Sequence, residues 1–135
     1  MKRDPKSAFK PIHKHVMFKL TAKNNFRDTH LAKKFLKELV QAIQMNPVTE
    51  AQAFDVKDEG NEGITASINL STSHIALHNW AETGLLMLDV YSCCYFDTRT
   101  VLDIVDKYWT LDKEGIRSLE LDRFEDRIYN WHINP

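Results

Sequence analysis

Between Gly63 and Cys94 the chain gathers side chains that can act as nucleophiles, acids and bases. They are Thr65, Thr72, Ser73, His74, His78, Glu82, Cys93 and Cys94, with Trp80 among them. A serine hydroxyl can attack a carbonyl carbon, an imidazole moves protons near neutral pH, and a thiol serves as acid or nucleophile. Each also has a plainer role open to it. Ser73 suits a turn, His78 a hydrogen-bonded interior position, and Cys93 a small buried hydrophobe. His74 and His78 are four apart, the spacing of a zinc-binding pair on a helix. The residues around them alternate as in a strand, where four residues span ~13 Å. One metal ion does not bridge that distance and no third ligand stands at suitable spacing, so no metal site is expected. The glycines at 60, 63, 84 and 115 form no phosphate-cradling loop, and the Gly-x-Ser-x-Gly elbow is absent. Cys93-Cys94 is not a Cys-x-x-Cys redox motif.

Positioning these groups requires elements that the pattern supplies. His15 to Leu20 alternates, with Val16, Phe18 and Leu20 on one face, and reads as a strand. Asp28 or Thr29 caps a helix carrying Leu31, Phe35, Leu36, Leu39, Val40 and Ile43, which Asn46-Pro47 stops. Ala51 to Val56 suits a short strand. After the turn cluster Asp58 to Gly63, Ile64, Ala66, Ile68 and Leu70 mark a strand over 64–70. Ile75 and Leu77 mark the next, and the apolar run Leu85 to Val90 suits a central strand. Asp97 caps a second helix with Val101, Leu102, Val105, Tyr108 and Trp109 on its stripe. Ile116 to Phe124 reads as the last strand. The order β-α-β-β-β-β-α-β predicts an α+β, two-layer sandwich: a mostly antiparallel sheet with two helices on one face. The opposite face also carries apolar residues, which suits a partner subunit.

The 135 residues fit a single domain, 1–135, in which 1–13 form a loose, lysine-rich arm. A net charge of -1 gives no electrostatic case for nucleic acid or an anionic membrane. No apolar run is long enough for a membrane span, and MKRDPKSAFKPIHKH lacks the apolar core of a signal peptide. Two adjacent cysteines make no disulfide framework. A cytoplasmic, reducing location is expected.

The ordered set Gly63-Ile64-Thr65, Thr72-Ser73-His74-Ile75-Ala76-Leu77-His78-Asn79-Trp80-Ala81-Glu82, Gly84, Leu88-Asp89-Val90-Tyr91 and Cys93 resembles a family signature. The family is that of the prokaryotic S-adenosylmethionine decarboxylase proenzymes, which depend on a pyruvoyl group. Its pattern runs from a glycine-hydrophobic-threonine (or serine) entry to Glu-Ser-His-hydrophobic-x-hydrophobic-His-Thr-Trp-Pro-Glu. A glycine, an apolar strand with an aspartate, and a cysteine follow. The serine-to-cysteine interval fits without a gap. The match covers 63–93, and His15-Val16-Met17-Phe18 is similar to the family's first strand.

The resemblance implies a proenzyme that cleaves itself between Thr72 and Ser73, converting Ser73 to a pyruvoyl cofactor. That group forms a Schiff base with a substrate amine and takes up electrons as carbon dioxide leaves. It implies that Thr65 and His78 assist processing and that Cys93 reprotonates the decarboxylated carbon. It further implies that Trp80 and Glu82 contact the adenosyl group, and that the enzyme is a homodimer of αβ units serving polyamine (spermidine) biosynthesis. The chain departs from the pattern at Thr72 (Glu in the family), Asn79 (Thr), Ala81 (Pro) and Cys94 (Gly). Two alternatives stay open: the same chemistry on ornithine or arginine, and an uncleaved, non-catalytic homologue. In one regular strand Ser73 and His78 would face opposite ways, so the resemblance requires a bend at about 71–73.

Overall fold

The computed structural model describes residues 13–124 and 127–134. The elements in order are β1 (His13–Thr21), α1 (Thr29–Ala42), β2 (Gln52–Val56), β3 (Gly63–Asn69), β4 (His74–Trp80), β5 (Leu85–Ser92), α2 (Thr98–Trp109), β6 (Arg117–Phe124) and β7 (Arg127–Asn134). The strands form one sheet in the order β2-β3-β4-β5-β1-β6-β7, and every neighbouring pair is antiparallel. From β2 to β5 the chain is a meander. α1 carries it from β1 out to the edge at β2, and α2 carries it from β5 past β1 to β6.

Alternation decides which side is covered. Val16, Phe18, Leu20, Ile64, Ala66, Ile68, Ile75, Leu77, Leu86, Leu88 and Val90 are buried in one core with Phe35, Leu36 and Leu39 of α1 and Val101, Val105 and Trp109 of α2. The expected α+β sandwich, with both helices on one face, is the observed fold. Trp109 anchors the helix layer, stacked on Phe26 with ring centroids 4.1 Å apart and met edge-on by Phe35. Each large side chain buried in this way contributes about 1.5–3 kcal/mol. Asp28 and Asp97 cap the helices, accepting hydrogen bonds from the amides of His30 and Leu31 and of Arg99 respectively.

Several expectations are corrected. β1 begins at His13, within the arm assigned to 1–13, whose other residues lie outside the described ones. A seventh strand, β7, follows β6 and pairs with it through a register shift between Leu121 and Asp122. α1 ends at Ala42, short of Asn46-Pro47. Gln44 takes φ 58°, with its amide bonded to Gln41 O and the Met45 amide to Val40 O. That double bond is a Schellman closure, which satisfies the last carbonyls before proline is reached. No helix among the described residues is long and apolar enough to cross a membrane.

Gly63 is fixed by a close approach of two backbones. A Cβ there would lie 1.7 Å from the Asn79 carbonyl oxygen. Gly63→Ala is therefore expected to lower stability by more than ~1 kcal/mol, read from the urea midpoint at unchanged slope. Gln44→Gly removes a left-handed penalty and is expected to raise the same midpoint, a gain in stability of up to about 1 kcal/mol.

Candidate active site

The face of the sheet away from the helices carries the titratable residues. Register places Thr65 opposite His78, His78 opposite Met87, and Met87 opposite Lys19. Four residues along the strands, Asn69, His74, Tyr91 and His15 form a parallel row. The chain bends at Ser71 and Thr72, where the resemblance requires a bend, and β4 starts just after Ser73. The bend is held by the Ser71 amide on Asn46 O at 2.9 Å and the Leu70 amide on Ser73 O at 2.8 Å.

One group of side chains gathers there. The Cys93 amide donates to Ser73 Oγ at 3.0 Å, and Thr72 Oγ1 contacts Cys93 Sγ in a short hydrogen bond. Cys94 Sγ is 3.8 Å from Cys93 Sγ. Burial pushes the Cys93 thiol up, but hydrogen bonds to Thr72, Ser73, Cys94 and its own backbone outweigh it and hold the thiol below its ordinary range. Thr72 is exposed, while Ser73 and Cys93 are half-buried.

A second group lies at the other end of β4. Thr65 Oγ1 and His78 Nδ1 are 3.0 Å apart. The Trp80 ring lies 6.3 Å from that of His78, and its Nε1 donates to Asn61 Oδ1 at 3.0 Å. Glu82 is exposed in the turn after β4. From His74 to His78 the extended strand covers ~13 Å. The protomer thus brings Thr72, Ser73 and Cys93 together, and Thr65, His78 and Trp80 together, but leaves the two groups apart. Among the described residues, no three His, Cys, Asp or Glu side chains are placed to hold a metal ion.

A polar network beside Cys93 was not singled out from the sequence. His15 Nε2 contacts Asp89 Oδ1 at 2.6 Å, His74 Nε2 lies 3.7 Å from Asp89 Oδ2, and His13 Nδ1 meets the Tyr91 hydroxyl at 2.7 Å. Its sequence signals were histidines alternating out of phase with Val16, Phe18 and Leu20, and one aspartate within an apolar strand. Behind the sheet, Lys14 is buried. Its Nζ donates to Phe96 O at 2.6 Å, lies 3.6 Å from Glu120 Oε1, and sits over the Tyr95 and Phe96 rings. This lysine ties the loop that follows Cys93 to β1.

A family described as S-adenosylmethionine decarboxylase matches residues 13–123. Three relatives carry the name S-adenosylmethionine decarboxylase proenzyme. The one from Archaeoglobus fulgidus is 32% identical over 60 residues, 42% of this chain and 54% of the relative. That from Syntrophomonas wolfei is 34% identical over 58 residues, 40% of this chain and 46% of the relative. That from Pelotomaculum thermopropionicum is 33% identical over 61 residues, 42% and 48% respectively. The chain spans about half the length of the relatives it matches.

The hydrogen bonds around Cys93 predict its reactivity. In a Cys94→Ser protein, the rate of Cys93 alkylation by iodoacetamide on the intact chain should have a pH midpoint below the usual thiol value of about 8.5. Because the thiolate reacts, the rate stays high down to the lowered pKa and falls as pH drops through it. Thr72→Val should move the midpoint upward. A midpoint at the ordinary value, or one indifferent to Thr72→Val, contradicts the arrangement.

Proposed function

The chain belongs to the S-adenosylmethionine decarboxylase family, and we propose that it is a self-processing, pyruvoyl-dependent decarboxylase that acts on S-adenosylmethionine and serves polyamine (spermidine) biosynthesis. The observation that carries this reading is the contact of Ser73 and Thr72 with Cys93 across β4 and β5, at a bend that exposes the Thr72–Ser73 junction.

The residues fit the formation of the group. Ser73 Oγ attacks the Thr72 carbonyl carbon. The amide C–N bond breaks as the C–O bond forms, which leaves an ester and frees the Ser73 amine. Loss of the Ser73 α-proton expels the Thr72 carboxylate and divides the chain into 1–72 and 73–135. Water then displaces the amine as ammonia. The threonine side chain at 72 takes no part in these bonds. The group so formed supplies the electron sink that decarboxylation needs. Cys93 then delivers a proton to the carbon that has lost its carboxylate.

Thr65 and His78 are the proposed oxyanion donor and proton carrier for processing. The Nδ1 contact with Thr65 leaves Nε2 to move the proton. Within one protomer this pair is too far from Ser73 to act on it. The distance supports a dimer in which the open sheet faces meet about a two-fold axis that reverses strand direction, each copy bringing its Thr65–His78 pair to its partner's Ser73–Cys93 group. Exposed Phe54 and Met87 and an apolar groove lined by Met17, Met87 and Leu119 supply a surface for that contact. Trp80, held by Asn61, offers its ring to the adenine, and Glu82 accepts hydrogen bonds from the ribose.

Intact mass after expression tests the reading. Fragments 1–72 and 73–135 are expected, the second with a pyruvoyl end, and Ser73→Ala should abolish both cleavage and carbon dioxide release from labelled S-adenosylmethionine. One persistent full-length species overturns the enzyme reading in favour of an uncleaved homologue. Release from ornithine or arginine instead overturns the substrate. For the shared site, His78→Ala chains should stay uncleaved alone and be cleaved when co-expressed with Ser73→Ala chains. Absence of that rescue overturns the composite arrangement.

A further inference from the structure

Cys94 stands where the resembled pattern has glycine, and no step above uses it. Its Sγ lies 3.8 Å from Cys93 Sγ, so the two sulfurs are within reach of a bond once the side chains turn and the intervening peptide adjusts. The position is held rather than incidental. Ser92 Oγ donates to Cys94 O at 2.6 Å and accepts from the Cys94 amide at 2.9 Å. On the other side of the loop, Lys14 grips Phe96 O. Cys94 is exposed, which gives a small oxidant access to the pair.

We propose that Cys93 and Cys94 form a hydroperoxide-responsive dithiol, which closes reversibly into a disulfide between neighbouring residues. The chemistry of the pair stands on this geometry alone, whereas its consequence for turnover rests on the function proposed above. Cys93 reacts first, because the hydrogen bonds from its Thr72 and Ser73 surroundings favour the thiolate, which attacks the peroxide. The thiolate sulfur takes one oxygen of hydrogen peroxide: the O–O bond breaks, a sulfenic acid forms, and the hydroxide released takes a proton from solvent to become one water. The Cys94 sulfur then attacks the Cys93 sulfur. The S–O bond breaks, and the hydroxide leaves as a second water with the Cys94 proton. Two electrons pass from the sulfurs to the peroxide.

Reversibility follows from covalent geometry. Consecutive Cα atoms are ~3.8 Å apart across a trans peptide, whereas disulfides usually span ~4.4–6.8 Å. A disulfide between neighbours is therefore strained and easily reduced, which suits a regulatory bond and not a structural one. The bond also protects. A sulfenic acid without a nearby thiol proceeds to oxides that thiols do not reverse. While it is closed, Cys93 has no proton to deliver.

The test treats reduced protein with graded hydrogen peroxide and reads the peptide containing residues 93 and 94 by mass. Wild type is expected to lose two hydrogens, with both cysteines refractory to iodoacetamide and both restored by dithiothreitol. Cys94→Ser is expected to add oxygen at Cys93 and to resist reduction at higher peroxide. Oxygen added to wild-type Cys93 while Cys94 still alkylates overturns the proposal, as does a disulfide that links two chains. Where decarboxylation is measurable, wild-type turnover should fall and return with the bond, while in Cys94→Ser it stays lost. A chain that forms the bond but releases no carbon dioxide from any amino acid substrate sinks the decarboxylase reading and upholds the dithiol.

Discussion

Val16, Phe18 and Leu20 of β1, Ile75 and Leu77 of β4, and Leu86, Leu88 and Val90 of β5 are kept from water together by α1 and α2. A strand side chain alternates with period two, so this burial also dictates what faces the other way. Thr65, His74, His78, Asp89, Tyr91, His13 and His15 are on the open face because their neighbours in sequence are in the core. A slip of one residue in any ladder would exchange the two sets. The cost of exposing several large apolar side chains makes such a slip inaccessible. The arrangement of the chemistry is in this sense a by-product of core packing.

β1 has a special position within that sheet. It lies between β5 and β6, although both are distant in the chain. The two helical crossovers make this possible, and it is what brings His15 to Asp89 and His13 to Tyr91. It also sets Lys14 against Phe96, which fixes the loop beyond Cys93. β4 imposes the opposite kind of constraint. A paired strand does not fold back on itself, so groups at its two ends stay apart whatever their side chains do. Any chemistry that needs both ends has to recruit one of them from another copy.

The departures from the family pattern have visible physical consequences. A glutamate at 72 would set a carboxylate near the Cys93 sulfur and oppose its ionisation, whereas the hydrogen bond between the Thr72 hydroxyl and the sulfur favours it. Asn79 is buried at the end of β4, where its amide reaches Asn25 Oδ1 at 2.9 Å and Leu85 O at 3.0 Å. It thereby ties the strand that carries His78 and Trp80 to the loop after β1. Cys94 places a second sulfur in contact with the first. These three changes cluster around the two groups of site residues.

Much of the fold was legible because its signals are local. Alternation marked β1, β3, β4 and β6, an apolar run marked β5, two aspartates marked the helix starts, and the helical stripes named residues that are buried, Leu31 and Leu102 excepted, which are half-buried. β7 was not read, although Tyr129, Trp131 and Ile133 alternate, because nothing local says which neighbour it pairs with. Asn46-Pro47 overstated α1, since the Schellman closure ended the helix first. For the site, the sequence by itself determined the residue types, their order and the family they resemble. Only the tertiary structure decided which of them meet. Ser73 and His78 are five apart in sequence yet separated by an extended strand, whereas Thr72 and Cys93 are 21 apart and in contact. The reason is that periodicity is written in neighbouring residues, while proximity across a ladder is set by the register that buries the whole core at once.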